Sequence, residues 1–153
     1  MKIWIPAFAD YERINELACQ VHELHVKWRP DLFLETKEAI NKERFKILIE
    51  EQNIYVAKIE DKIVGYVTFS VQEKENPILR YRKQLAIDAM CVDENYRGKG
   101  IGSSLLEFVE KYAKEKNCTD IYLTVNEENQ NAIKVYEKFG MKVKNIAYSK
   151  EVK

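Results

Sequence analysis

The segment NYRGKGIGSSLLEF, residues 95–108, places two basic residues among closely spaced glycines, directly before an apolar run. Its glycines are Gly98, Gly100 and Gly102, three of only five in the 153-residue chain. Glycine removes the side chain, which lets another group come very close to the backbone. The apolar stripe predicts a helix from about Ile101, and free N–H groups at a helix N-terminus bind anions. With Arg97 and Lys99 beside them, these groups predict a cradle for pyrophosphate.

The spacing of these glycines separates the segment from two common nucleotide-binding motifs. A P-loop requires Gly-x-x-x-x-Gly-Lys-Ser/Thr, which GKGIGSS does not supply. A dinucleotide fingerprint requires Gly-x-Gly-x-x-Gly directly after a strand, whereas here the third glycine comes too early and polar residues 93–97 intervene. A loop that only needs positive φ at two positions is the remaining structural alternative. The residues favour an anion cradle of another kind.

Three further side-chain types could take part in chemistry. Asp88 is the only charged residue in the apolar run LAIDAMCV, where burial would raise its pKa and suit a general base. A carboxylate satisfied by backbone donors, or one on the outer side of a bulged strand, is the alternative. Cys91 has no histidine close in sequence to activate it, which favours a small core residue. His22 and His25 lie one helical turn apart without a carboxylate at matching spacing, so we predict no metal site.

Hydrophobic periodicity predicts the elements that position these residues. Strands are predicted over residues 1–8, 53–60, 63–71, 85–92, 120–125 and 141–149. Helices are predicted from an N-cap at Asp10 to the break at Pro30, over 36–51, from Ile101 to about Glu115, and over 131–139 before Gly140. Asp61-Lys62 is predicted as a hairpin turn and residues 72–84 as a polar loop. This order predicts one α/β domain over residues 1–153 with a mixed sheet.

Composition excludes several classes of protein. Hydrophobic residues make up 46% of the chain and charged residues 33%, as in ordinary globular proteins. Lys plus Arg and Asp plus Glu are both 25, so no net charge draws the chain to nucleic acid or to a membrane. The N-terminus lacks the sustained apolar stretch of a secretion signal. Three widely spaced cysteines argue against a disulfide framework, and we expect a cytoplasmic protein.

Two segments resemble signatures of the GNAT superfamily, the acetyl-CoA-dependent N-acetyltransferases. RGKGIG, residues 97–102, fits the family's Arg/Gln-x-x-Gly-x-Gly/Ala signature for acyl-CoA. LTVNEENQNAIKVYEKFGM, residues 123–141, resembles the second signature, with matches at Leu123, Val125, Asn129, Ala132, Tyr136 and Gly140. Met141 stands where an aromatic residue is common. The resemblance implies the single-domain GNAT fold, with a mixed central sheet of about six to seven strands flanked by about four helices.

The resemblance also implies direct transfer of an acetyl group from acetyl-CoA to a primary amine, with no metal. The implied cofactor-binding residues are Met90, Cys91, Val92, Arg97, Gly98, Lys99, Gly100, Ile101, Gly102, Ser103 and Asn129. A backbone amide in residues 90–92 would stabilise the oxyanion. Tyr136 is the candidate acid for the leaving thiolate, although its apolar helix face also suits a core tyrosine. Asp88 is the candidate base. Asn129 could cap the following helix, touch the cofactor, or do both.

The acceptor amine stays open in the sequence. A small amine, a polyamine, an aminoglycoside, an amino acid and a peptide N-terminus are all compatible with it. The residues expected at the acceptor pocket are His22, His25, Trp28, Arg29, Asp31 and Phe33, with Tyr81 and Tyr148. A homodimer is a further partner that the resemblance allows. The alternative function is a non-catalytic acyl-CoA binding or sensing module, which requires neither Tyr136 nor a base.

Overall fold

A computed structural model describes residues 1–153 and contains one five-stranded mixed sheet, which confirms the predicted α/β class. The strands are β1 (Lys2–Trp4), β2 (Ile54–Ile59), β3 (Lys62–Asn76), β4 (Leu79–Val92) and β5 (Asp120–Tyr122), adjacent in that order. Only the β4–β5 pair is parallel. The helices are α1 (Tyr11–Trp28), α2 (Lys42–Glu50), α3 (Ile101–Glu115) and α4 (Gln130–Lys138).

Helices cover both faces of the sheet, because alternate side chains of the central strands enter two separate apolar clusters. In one cluster Leu17 of α1 and Phe45 of α2 pack with Val56 and Tyr66 of the sheet. In the other, residues of α3 pack with residues of β3 and β4, among them Val64, Val67, Phe69, Leu85, Leu105 and Val109. Each fully buried Leu or Phe side chain contributes roughly 2 kcal/mol. The helical stripe predicted after the glycines is therefore the face of α3 that anchors it to the sheet.

The segment predicted as a polar loop, residues 72–84, is instead a two-stranded extension of β3 and β4. The register pairs Gln72 with Gln84 and Glu73 with Lys83, and the hairpin turns between Asn76 and Leu79. Opposite charges directly across an antiparallel pair stabilise it even where both faces contact water. The turn between β2 and β3 also lies one residue earlier than predicted, at Glu60-Asp61, where φ is 49° and 65°.

The first helix has its N-cap at Asp10 as predicted but without a side-chain cap contact, whereas the predicted start of the second helix is wrong. Asp10 makes no cap contact with α1, because its carboxylate accepts a 2.8 Å hydrogen bond from the Ala7 N–H in a preceding 3-10 turn. The second helix begins at Lys42 rather than residue 36, because the Asn15 side chain accepts hydrogen bonds from the Ala39 and Ile40 N–H groups and holds them outside a helix. Asn41 then caps α2, accepting from the Arg44 N–H at 2.7 Å.

The strand predicted over residues 141–149 is absent, and this accounts for the lower strand count. Residues 141–153 form no helix or strand, and β5 pairs with β4 alone. The first strand is also shorter than predicted, because its pairing with β2 ends at Trp4, two residues before Pro6.

Gly65 of β3 is a constraint that the sequence analysis missed. A Cβ atom at this position would lie 2.8 Å from the Cys91 carbonyl oxygen and 3.4 Å from Leu105 Cδ1. We expect Gly65→Ala to lower the free energy of unfolding by about 1–3 kcal/mol, measured by urea denaturation. Gly102→Ala is the matched control, since its Cβ would meet ordinary contacts of 3.8–3.9 Å and helix propensity favours alanine. Equal losses in both variants would contradict this account.

Candidate functional site

The site is built around the point where β4 and β5 separate. Their parallel pairing joins only Gln84–Ala86 to Asp120–Tyr122. Beyond Ala86, β4 runs on to Val92 paired with β3 but with no strand on its other side. The backbone N–H and C=O groups on that edge of residues 87–92 therefore have no strand to pair with. Because buried backbone groups are almost always hydrogen-bonded, these are available to another partner.

A cleft of about 480 Å³ occupies this opening, and most of its lining residues are hydrophobic. Its lining residues that carry a hydrogen-bonding side chain are His22, His25, Tyr66, Asp88, Thr124, Asn126, Asn129 and Tyr136. Asp88 is the only carboxylate among them, and no Lys or Arg is present. A cleft of this size with a few convergent polar groups is typical of a small-molecule site.

Asp88 is the extra residue of a β-bulge in β4. The register runs from Phe69–Ile87 directly to Thr68–Ala89, which leaves Asp88 without a partner on β3. The bulge exposes its side chain, so the predicted burial of Asp88 is wrong. Partial removal of water still raises the pKa of this carboxyl above its ordinary value, against the opposing charge of Arg44. The arrangement presents a carboxylate of increased basicity to the cleft.

The glycine loop between β4 and α3 is open to a ligand. Gly98 and Gly100 have φ of 77° and 81°, and a Cβ at either would meet nothing within 4 Å. The positive φ therefore explains why glycine occupies these two positions, and the space next to them is free. The N–H groups of residues 97–103 donate no backbone hydrogen bond, and the first helical bond runs from the Ser104 N–H to Gly100 O at 3.0 Å. Together with the dipole of α3, these free N–H groups have the arrangement that suits an anion.

The two cations that flank the glycines are held in different ways. Arg97 Nε donates to the Val92 carbonyl at 3.1 Å, which ties the loop to the end of β4. Lys99 Nζ lies 5.0 Å from the ring centroid of Tyr96. A Cβ at Gly102 would sit 3.9 Å from Met90 Cε and Val92 Cγ2. The loop and the free edge of β4 are thus directly continuous.

Helix α4 brings Asn129 and Tyr136 to the opposite wall of the cleft. Asn129 caps the helix, accepting a 3.2 Å hydrogen bond from the Ala132 N–H. Tyr136 is half-buried, and burial raises the pKa of its hydroxyl. The phenol therefore stays protonated at neutral pH and can donate a hydrogen bond into the cleft.

Cys91 and Ile101 face away from the cleft and can meet a ligand only through their backbone. Cys91 is 3% exposed, its Sγ lies 3.1 Å from the Leu17 carbonyl, and burial raises its pKa to about 12. A thiol so protonated is a poor nucleophile, which argues against an acyl-cysteine route. The Ile101 side chain, 3% exposed, belongs to the core cluster beneath α3.

The acceptor-pocket residues expected from the sequence divide into two groups. His22, His25 and Phe33 line the cleft, with the His25 and Phe33 ring centroids 5.2 Å apart and Trp28 packed behind His25. The other five, Trp28 included, lie outside it. Arg29 pairs with Asp31 at 2.7 Å, Tyr81 donates to Glu73 on the hairpin, and Tyr148 is 93% exposed in the terminal segment.

Tyr66 and Asn126 are cleft residues that the sequence analysis missed. Tyr66 is 4% exposed and lines the cleft from β3, and burial raises the pKa of its hydroxyl. Its place in an apolar strand gave no signal of this. Asn126 lies three residues before Asn129 in the same matched segment and could have been found there. No three His, Cys, Asp or Glu side chains form a group able to hold a metal ion.

Residues 17–141 match the model of the Acetyltransferase (GNAT) family. The chain belongs to the GNAT family. Over 89 residues, 58% of this chain and 52% of the relative, it is 34% identical to the L-amino acid N-acetyltransferase AaaT of Escherichia coli. Over 98 residues, 60% of this chain and 58% of the relative, it is 34% identical to an N-alpha-acetyltransferase of Sulfurisphaera tokodaii. The chain spans about half the length of the curated relatives it matches.

Solved structures confirm the GNAT fold. A crystal structure of a variant of the BH1408 protein from Bacillus halodurans superposes with a TM-score of 0.96 over 99% of both chains, at 31% identity. A glucosamine-6-phosphate N-acetyltransferase from Arabidopsis thaliana superposes with a TM-score of 0.69 over 99% of this chain and 98% of that chain, at 25% identity. As for membrane association, every helix of this GNAT chain is too short or too polar to span a bilayer.

Asp93 supports the glycine loop, and its removal tests that support. It is 1% exposed, accepts from the Asn95 N–H and pairs with Arg13. Burial acts to raise its pKa, but these hydrogen bonds outweigh it and hold the pKa below the ordinary value. The pair therefore stabilises the fold above the unfolded pKa of about 4, and this contribution is lost as pH falls through the lower folded pKa.

We expect Asp93→Asn to lower the free energy of unfolding at pH 7 by about 2–3 kcal/mol, because the charge of Arg13 loses its buried partner. The loss should shrink towards pH 2 in urea denaturation series. Asp31→Asn is the control: it removes an exposed carboxylate from a surface pair and should leave stability unchanged. A pH-independent loss at position 93 would contradict the charge argument.

Proposed function

We propose that the protein transfers the acetyl group of acetyl-CoA directly to a primary amine. The observation that carries the proposal is the continuity of two features. Unpaired N–H groups at the start of α3 suit a pyrophosphate, and they adjoin a free strand edge that leads into a cleft with a carboxylate and a phenol. Membership of the GNAT family supports it.

Each part of the acetyl-CoA molecule is assigned to a different set of the cofactor-binding residues. The N–H groups of residues 98–103 receive the pyrophosphate, with Arg97 and Lys99 as flanking cations. The edge of Met90–Val92 hydrogen-bonds the amide-containing arm. An N–H of this edge donates to the oxygen that becomes negative when the amine attacks the thioester, which is the interaction that lowers the barrier most. Asn129 lines the cleft from the opposite wall.

Two side chains complete the movement of protons. Asp88 accepts the proton that an ammonium must lose before attack, directly or through a water molecule. The C–N bond then forms and the C–S bond breaks, and the second proton of the attacking nitrogen passes, directly or through water, to the departing sulfur. Tyr136 donates to that sulfur. At reference pKa values the phenol is a weaker acid than a thiol, so full transfer is uphill by about 2 kcal/mol. Its contribution is therefore a hydrogen bond that strengthens as charge develops on sulfur.

The lining favours an amine with an apolar body and no carboxylate. Asp88 is the one charged group in the cleft and suits an ammonium. Burial, together with the neighbouring His22, lowers the pKa of His25, which keeps that ring neutral at pH 7. A carboxylate on the acceptor would lose water without gaining a cationic partner, which is costly. We propose an alkyl or arylalkyl monoamine, although one relative is named for L-amino acids and another for spermine and spermidine.

The first test measures thiol release from acetyl-CoA with phenethylamine, phenylalanine and spermidine. We expect turnover with phenethylamine, and a reduction in kcat of about 100-fold in Tyr136→Phe with binding of coenzyme A retained. Tyr81→Phe is the control, because this tyrosine lies on the exposed hairpin outside the cleft. Tight binding of coenzyme A without turnover of any amine would favour the non-catalytic sensing module. Failure to bind coenzyme A would overturn the proposed cradle.

The role of Asp88 predicts a change in the pH profile. Because its pKa is raised, kcat/KM should fall with decreasing pH through a value above that of an ordinary aspartate. Asp88→Asn should lower kcat/KM at pH 7 and remove this acidic limb. Asp61→Asn, in the β2–β3 turn, should keep both the limb and the rate. An unchanged limb in the Asp88 variant would assign it to His25 or to the amine itself.

A further inference from the structure

Tyr66 of β3 is a buried side chain whose hydroxyl has no hydrogen-bond partner in its own chain. The residue is 4% exposed, and it belongs to the apolar cluster that α1 and α2 form with the sheet. Burial raises the pKa of the hydroxyl, and no hydrogen bond acts on it. A buried tyrosine hydroxyl usually has a partner, because an unpaired one loses its contacts with water without replacement.

Tyr11 of α1 shows how the same cluster holds a hydroxyl that serves the fold. Tyr11 is 6% exposed, and its hydroxyl donates to the Ile40 carbonyl at 2.6 Å. The two tyrosines are therefore similarly buried members of one cluster, but only the hydroxyl of Tyr11 joins two parts of the chain. The fold accounts for the Tyr11 hydroxyl and does not account for that of Tyr66.

The unpaired hydroxyl of Tyr66 reaches the cleft. Among the side-chain oxygen and nitrogen atoms that are sealed from solvent, only Gln84 Oε1 lacks a hydrogen-bond partner. The Tyr66 oxygen is therefore not enclosed in the core, and the open space that Tyr66 lines is the cleft. A phenol hydroxyl there can both donate and accept a hydrogen bond. A ligand in the cleft can thus supply the partner that the chain does not.

Tyr66 and Tyr136 reach the cleft from opposite faces of the sheet. Tyr66 packs with α1 and α2, whereas Met90 and Tyr136 pack against the cluster beneath α3. In the proposed function the donor lies on the α3 face, because the glycine loop begins that helix. The face of α1 and α2 is then left for the acceptor, and the charge of Arg44 on α2 acts on Asp88 there.

The strand register places Tyr66 and Asp88 on either side of the proposed reaction centre. Tyr66 pairs with Cys91, and Asp88 lies in the bulge that precedes it on β4. Met90, in the edge proposed to bind the thioester, falls between them in the chain. A neutral primary amine has two N–H groups and one lone pair. When an oxygen accepts from each N–H, the lone pair is left free to attack the thioester carbon.

We propose that the Tyr66 hydroxyl oxygen accepts a hydrogen bond from the nitrogen of the acceptor amine and directs its lone pair towards the thioester. This assignment rests on the proposed function and makes Tyr66 a residue that binds the substrate. Asp88 receives the other N–H and remains the base. The phenol of Tyr66 keeps its proton, so the proton transfers of the proposed reaction are unchanged.

The test compares the binding of phenethylamine to the wild type and to Tyr66→Phe by calorimetry in the presence of coenzyme A. The nitrogen is the only hydrogen-bonding atom of phenethylamine, so a lost hydrogen bond must be one to nitrogen. We expect Kd for the amine to rise about 10-fold in the variant, with Kd for coenzyme A unchanged. Tyr55→Phe is the matched control: its half-buried ring packs on the α3 face outside the cleft, and amine binding should be unchanged.

Urea denaturation shows whether the hydroxyl serves the ligand or the fold. Tyr66→Phe should leave the midpoint unchanged or raise it, whereas Tyr11→Phe should lower it through loss of the bond to Ile40. A lower midpoint for Tyr66→Phe, equal amine affinity in that variant and the wild type, or no amine binding by the wild type would each overturn the assignment. Weaker binding in Tyr66→Phe without acetyl transfer by the wild type would uphold the contact with nitrogen and overturn the proposed reaction.

Discussion

The separation of β4 from β5 is the constraint on which the rest of the molecule depends. The backbone N–H and C=O groups of a strand inside a sheet normally form hydrogen bonds with the neighbouring strand. Between β4 and β5 these hydrogen bonds end at Ala86. The strand remains stable because β3 pairs along its whole length and both faces are covered by helices. Gly65 allows this close fit next to Cys91 and Leu105. Backbone groups can then be reserved for a ligand without loss of the fold.

Local patterns in the sequence were sufficient to predict the glycine loop followed by α3, whereas the anion cradle at that loop stays a prediction. The glycine spacing and the apolar stripe of α3 lie within one short stretch, and both depend on backbone conformation more than on distant contacts. Asn129 and Gly140 were likewise predictable as the ends of α4. Asp88 was identified as chemically special, but its place on the outer side of a bulged strand was only an alternative to burial, because the bulge arises from a register shift against Thr68 and Phe69. Such a shift depends on long-range pairing that no local pattern encodes.

Two errors in the sheet have a common physical origin. The hairpin of residues 72–84 was taken for a loop because both of its faces contact water, so no alternation marks it. Residues 141–149 were predicted as a strand on composition, yet they pair with nothing in their own chain. In both cases the missing information is what lies beside the backbone. A strand requires a neighbouring strand to pair with, and the local sequence of neither segment identifies that neighbour.

The distribution of charge in the site sets the direction in which the proposed donor would lie. Anions are favoured only at the glycine loop, where the α3 dipole, Arg97 and Lys99 act together. The lining of the cleft holds no Lys or Arg, so in the proposed function the thioester end of the donor enters there while the phosphates stay outside. Apolar walls such as Ile87 and Phe33 exclude water, which limits hydrolysis of the thioester and raises the pKa of Asp88. In the proposed function, the same walls protect the acyl group and increase the basicity of the carboxylate that activates its acceptor.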